Sequence, residues 1–289
     1  MAITIPPEHF EFLKSVHERL MPVFSANVVP VFGAMAEKVA PYGTCSLLRI
    51  ADKAFAVTAA HVFDDVRRGC NLFVPSSERP GAWVCLEGQL VKVRDDEVDV
   101  AVLALSPKSA AGLRSWRFLR LHEIEFIDGS LPHDWYYVFG YPKCWQMSVS
   151  SREQFLAYGS VLYAGPTGLF SDYDEKNHIL VEVYTQDNAR FDGQPGELPE
   201  SFAGISGSPM WRSHATPDTM GNWSPEMAKV VAVQTGVYGN ERAISYRRKG
   251  EMAEMKVKIV KGVRWSSVID ALWQGFPELR PAIRLVRPG

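Results

Sequence analysis

Ala56-Val57-Thr58-Ala59-Ala60-His61-Val62 is an apolar, β-branched run that passes into two small residues and then a histidine. It reads as a strand that ends where an imidazole begins. The alanines let the backbone pass close to its neighbours and leave room for the ring to face a cleft. Taken alone, such a histidine is a buried, hydrogen-bonded core residue. Two other stretches change that reading. Val98-Asp99-Val100-Ala101-Val102-Leu103-Ala104-Leu105 opens a strongly apolar strand with an acid, and a carboxylate at that border is costly to bury unless paired. Asp95 and Asp96, just upstream, read as solvated. Gly204-Ile205-Ser206-Gly207-Ser208-Pro209 places glycine on both sides of a serine, which permits a tight turn and a close backbone approach to a ligand. Gly-Ser-Gly clusters also occur in ordinary turns, so this stretch gains its weight from the other two.

Acyl transfer by serine needs a hydroxyl that attacks, a neutral imidazole that takes its proton, a carboxylate that orients the imidazole, and backbone N–H groups that hold the oxyanion. Those parts occur in the order His61, Asp99, Ser206, with separations of 38 (99 minus 61) and 107 (206 minus 99). Thr58 to His61 resembles the TAAH signature of trypsin-like serine peptidases. Asp99 to Leu103 resembles their D-[ILV]-A-[VL]-L element, and Gly204 to Pro209 their G-x-S-G-[GS]-P loop. The order excludes an α/β-hydrolase and a subtilisin. The resemblance covers roughly residues 42–243. It implies a mainly all-β fold of two six-stranded antiparallel β-barrels of the chymotrypsin type, with an N-terminal helix and a short C-terminal helix. It also implies a serine endopeptidase in which His61, Asp99 and Ser206 are catalytic, the N–H groups of Gly204 and Ser206 form the oxyanion hole, and no cofactor or metal takes part. A catalytically silent binding module and an esterase on the same site are the alternatives.

The chain departs from the digestive and blood members. Ile205 stands where they carry the aspartate that receives a new N-terminal ammonium, so activation by that route is not expected. Val62 replaces the cysteine that follows the histidine. The intracellular, HtrA-like members fit better, although no PDZ domain has room after residue 230. For specificity, Glu200 lies six residues before Ser206, where a pocket-base acid sits in trypsin, and would favour Arg or Lys in the substrate. Gln234, Thr235 and Gly236 are expected along the pocket wall. Gly140-Tyr141-Pro142 resembles a structural turn of related peptidases.

Around these motifs, 46% hydrophobic residues in 289 allow a substantial core. Short apolar runs between turn-rich stretches suggest many antiparallel strands. A helix is expected over residues 7–24, ahead of the catalytic pattern, and another over residues 267–274 with Ser266 or Ser267 as N-cap. Residues 1–40 thus read as a helical segment and 41–289 as the peptidase domain, with barrels at about 41–130 and 131–265. Residues 185–202 and 212–229 read as long loops. The net charge of -2 and the lack of a basic stripe argue against nucleic acid; the densest basic stretch, Arg247-Arg248-Lys249, reads as a solvated loop. Expected partners are a protein or peptide substrate and a regulatory protein. No signal peptide and no run of about 18 apolar residues is found, so a cytoplasmic location is expected and no membrane partner. Cys45, Cys70, Cys85 and Cys144 read as reduced thiols, and no histidine pair has metal-ligand spacing.

Overall fold

The structure is a computed structural model and describes residues 7–35, 38–68, 71–76, 79, 81–94, 98–126, 134–145, 156–163, 167–170, 172–184, 199, 201–248 and 251–285. Helix α1 (Pro7–Asn27) leads into β1 (Val28–Met35), β2 (Lys38–Ile50), β3 (Lys53–Thr58), β4 (Asn71–Pro75), β5 (Trp83–Cys85), β6 (Gly88–Arg94) and β7 (Asp99–Leu105). After α2 (Pro107–Gly112) come β8 (Tyr136–Gly140), β9 (Leu156–Ser160), β10 (His178–Tyr184), β11 (Pro209–Arg212), β12 (Lys229–Arg248) and β13 (Glu251–Arg264). Helices α3 (Trp265–Gly275) and α4 (Arg280–Arg284) follow.

The strands form two antiparallel sheets, one in the order β5-β4-β1-β2-β3-β7-β6 and one in the order β10-β13-β12-β11-β8-β9. The two edge strands of the first are neighbours in sequence, with only Leu86 and Glu87 between them. Laid flat, those edges would be roughly 29 Å apart at about 4.8 Å per strand. The chain from Cys85 to Gly88 reaches about 11 Å at most. The sheet must therefore curl into a barrel. Gly88 makes the bend, with φ +154° and a Cβ position only 1.8 Å from Ala104 O, where no side chain fits. β5 and β6 thus behave as one kinked strand, and the expected six-stranded barrel appears as seven segments. The second sheet closes where the Tyr163 N–H donates to Leu180 O (2.9 Å) and the Glu182 N–H to Val161 O (3.0 Å).

Alternate residues explain the near-continuous apolar runs. Ala54 and Ala56 of β3 pack inside the first barrel with Leu47, Ala101 and Leu103. Phe55 and Val57 point the other way, into a larger core with Leu48, Val100, Tyr137, Trp211 and Val230 that joins both barrels. Both faces of these strands are buried. The second barrel has its own interior around Tyr136, Val138, Val181, Met210 and Val260.

The terminal elements differ in part from expectation. Leu13, Val16, Leu20 and Phe24 of α1 form one buried stripe, and the Phe24 ring lies 5.1 Å from that of Trp211. The helix ends only at Asn27, and the rest of the segment read as a helical tail contains β1, which pairs with β2 and β4. The first barrel therefore begins at Val28. Pro30 is tolerated because pairing with β4 starts only at Phe32, leaving one side of Pro30 at an open edge. At the other end, β13 runs directly into α3, so Arg264 takes the N-cap position and Ser266 and Ser267 lie inside the helix. No turn precedes α3 in which a serine cap could sit; the Arg264 Nε instead donates to Glu175 O (3.1 Å). No helix among the described residues is long and apolar enough to cross a membrane.

Candidate active site

Strand pairing brings the histidine and the aspartate together. β3 runs antiparallel to β7 with Thr58 opposite Ala101. Two alanines further along, a 3-10 turn (Ala60–Arg68) begins and carries His61, beside Asp99 at the first position of β7. The His61 N–H donates to Asp99 Oδ1 (3.0 Å), and His61 Nδ1 lies 2.6 Å from Asp99 Oδ2. An ionised carboxylate only accepts, so the contact suits the tautomer with the proton on Nδ1, which in a neutral imidazole leaves Nε2 as the acceptor. Nε2 has no partner among the described residues, and the side chains are 33% and 24% exposed. The pair is thus open to a ligand on one side and held by backbone on the other. Arg94, opposite Asp99 on β6, places its Nε 4.0 Å from Asp99 Oδ1. Arg94 and Lys92 also bond Asp64. Burial pushes the Asp64 carboxyl up, but these two cations outweigh it and hold it below the ordinary value.

The serine loop is built from turns and two left-handed glycines. Gly204 has φ +94° and Gly207 φ +91°. A Cβ on Gly207 would lie 2.0 Å from both Thr44 O and Thr58 Oγ1, so only glycine fits. The Gly207 N–H donates to Gln234 O and the Gln234 N–H to Ser208 O, both at 2.7 Å. Ile205 is fully buried in the second barrel's interior, where an apolar side chain belongs and an ion pair has no place. Ser206 is half-buried. The N–H groups of Gly204 and Ser206 donate to no acceptor among the described residues. They are two donors, two residues apart on one turn.

One buried residue, Thr44, ties this loop to the first barrel. Its N–H donates to Ser206 O (2.8 Å) and its hydroxyl to Gly204 O (2.9 Å). The hydroxyl accepts from the Tyr141 N–H (3.1 Å), and its carbonyl accepts from Thr58 Oγ1 (2.7 Å). Next to it, the Cβ position of Gly43 is 2.8 Å from Val62 Cγ2 and 3.0 Å from Ser206 O. The residue after His61 and the carbonyl of Ser206 therefore flank the same glycine. Sequence reasoning missed Thr44, which has no motif around it. Thr58 was inside the quoted motif but was not given this task.

The expected specificity residues are placed in part. Thr235 is the extra residue of a bulge, since Gln234 faces Gly262 and Gly236 faces Lys261. Gln234 and Thr235 are buried, Gly236 is half-buried, and Gln234 Nε2 donates to Gly236 O (3.0 Å). β11 pairs with β12 only as far as Val233, so beyond the bonds that Gln234 makes to the serine loop the other edge of β12 has no strand partner among the described residues. Glu200 lies outside the described residues, as does most of the expected loop 185–202. Among the described residues no group of His, Cys, Asp or Glu is arranged to hold a metal.

No family model matches the chain, and no curated protein matches it by sequence. Solved structures do. Deg5 is 13% identical over 81% of this chain and 88% of its own, with a TM-score of 0.45. The inactivated protease paralogue S-I1 of the scabies mite is 17% identical over 87% of this chain and 95% of its own, with a TM-score of 0.50. The second likeness, with the two closed sheets described above, gives the class: the chain has the trypsin-like serine protease fold.

Proposed function

We propose that this chain is a serine endopeptidase acting on protein substrates. The observation that carries the reading is the His61–Asp99 pair, with Nδ1 held by the carboxylate and Nε2 without a partner among the described residues, together with a serine loop whose Gly204 and Ser206 N–H groups donate to no acceptor among them. Ser206 Oγ attacks the scissile carbonyl while His61 Nε2 takes its proton, and Asp99 stabilises the imidazolium. The oxyanion settles on the N–H groups of Gly204 and Ser206, each worth about 10²–10³ in rate. The imidazolium then protonates the leaving amine, the C–N bond breaks, and a water activated in the same way releases the acyl group. The open edge of β12 at Thr235 and Gly236 holds substrate backbone, and Glu200 sets a preference for Arg or Lys. The free thiols Cys45, Cys85 and Cys144 support a reducing, cytoplasmic setting.

The test is hydrolysis of an unfolded protein and of a simple ester by wild type and Ser206→Ala. Cleavage of both by wild type alone supports the proposal. Ester cleavage without peptide cleavage turns the reading to an esterase, and neither activity in folded protein turns it to a silent module. Cut sites that do not follow Arg or Lys remove Glu200 from the pocket.

A further inference from the structure

The segment after α2 carries a concentration of positive charge. Residues 113–123 read Leu-Arg-Ser-Trp-Arg-Phe-Leu-Arg-Leu-His-Glu, with Arg114, Arg117 and Arg120 spaced by three. The segment is pinned to α1 and β2: the Arg117 N–H donates to Ala26 O at the end of α1 (2.8 Å), the Leu119 N–H to Leu47 O of β2 (2.8 Å), and the Arg49 N–H of β2 to Leu119 O (2.9 Å). Between β2 and this segment lies an open depression of about 580 Å³, lined by Arg49, Arg114, Trp116, Arg117, Arg120 and Glu123. Arg114, Arg117 and Arg120 are exposed, as is His122 at the margin. The Arg49 guanidinium is half-buried over the Phe118 ring, 4.6 Å from its centroid. The one acid, Glu123, is already engaged, since it bonds Arg117 Nη2 and accepts from the Arg120 N–H (2.8 Å). The guanidinium groups of Arg49 and Arg120 have no carboxylate among the described residues.

A cluster of cations in a chain of net charge -2 needs a reason, because like charges side by side repel. Guanidinium groups carried on a hydrogen-bonded backbone, one of them resting on an aromatic face, are suited to planar, bidentate anions. The chain outside the groove is net acidic, which works against a long nucleic acid strand and less against a short run of carboxylates. The groove also has a defined place relative to the serine loop. Thr44, bonded to that loop, and Arg49, on the groove, are five residues apart on one extended strand, or about 17 Å.

We infer that this groove is an exosite that docks an acidic, Glu- or Asp-rich segment of the protein substrate, at least about five residues from the bond presented to Ser206. The identity of the docked protein as substrate rests on the peptidase reading; the docking itself does not. The experiment measures binding of a labelled oligoglutamate peptide to full-length Ser206→Ala protein by fluorescence anisotropy. The oligoglutamate binds, more weakly as salt rises, and binds about tenfold more weakly to a variant that also carries Arg49→Gln and Arg120→Gln. A Lys108→Gln/Lys176→Gln control binds like the parent. Arg120→Glu alone, at an exposed position, gives the same loss if the Arg49 change perturbs folding. No binding, an equal loss in the control, or an oligothymidylate that binds as tightly as the oligoglutamate overturns the inference. In the Ser206 protein, a peptide with an acidic run at that distance is cleaved with a lower KM than one lacking it, and Arg49→Gln/Arg120→Gln removes the difference. Binding without cleavage of any peptide removes the peptidase reading and leaves the groove.

Discussion

Thr44 shows how much of the site rests on one side chain that does not meet substrate. Its hydroxyl bridges Gly204 O and the Tyr141 N–H in a fully buried position. Thr44→Val keeps the shape and leaves both partners without a bond, so unfolding free energy falls by about 1–3 kcal/mol. Hydrolysis drops with it, because the turn carrying the Gly204 N–H loses its anchor; chemical denaturation and rate assays on one preparation check both. Gly207→Ala is harsher, since its Cβ would meet Thr44 O and Thr58 Oγ1 at 2.0 Å, and little folded protein is expected by circular dichroism. His61, Asp99, Ser206 and Gly204 could be picked out as candidates from the sequence because each lies in a short local pattern. Thr44 was not, because its hydroxyl partners lie 160 and 97 residues away. The basic groove escaped notice for a related reason: its arginines are spaced by three along a segment of turns, and the fourth comes from β2.

Elements with a strong local period were the easiest to read. The stripe of α1 is regular, and so are the apolar runs of β3, β7 and β12. β1 was hidden by Pro30 and Gly33, which look like loop residues until one edge is seen to be open. β13 was hidden by its charge, since Glu251–Arg264 is rich in lysine and glutamate. α1 fills the core between the barrels, which agrees with a segment that is not an activation peptide. Leu20→Ala is therefore expected to cost about 2–5 kcal/mol, as buried leucines do, measured by thermal or denaturant melts. A chain truncated to start at Val28 loses stability and gains no activity, whatever its new first residue. A gain that depends on that residue would mean that an ammonium can still organise the loop despite Ile205.

At the scale of the whole molecule, two closed barrels share one core and meet at the serine loop. The second barrel, with the segment at Glu125 that bonds to β12, also carries an ion-pair network. Arg212 donates to Asp134 Oδ2 and to Glu125 Oε1, each at 2.7 Å, and Glu125 Oε2 lies 2.7 Å from His214 Nε2. Burial pushes the Glu125 carboxyl up, but His214 and Arg212 outweigh it and hold it below the ordinary value. A carboxyl lowered in the folded state adds stability that is complete above its unfolded value, about 4.3, and is lost as the pH falls through the folded one. Melting temperatures measured from about pH 6 down to pH 3 should therefore fall less steeply in Glu125→Gln than in wild type. An activated serine is tested by covalent labelling with a fluorophosphonate, read as intact mass and mapped by peptide sequencing. A single adduct is expected on Ser206 in wild type, and none in His61→Ala or Ser206→Ala protein that melts as wild type does. A folded wild type that takes up no probe, or equal labelling of the Ser206→Ala protein, would contradict it.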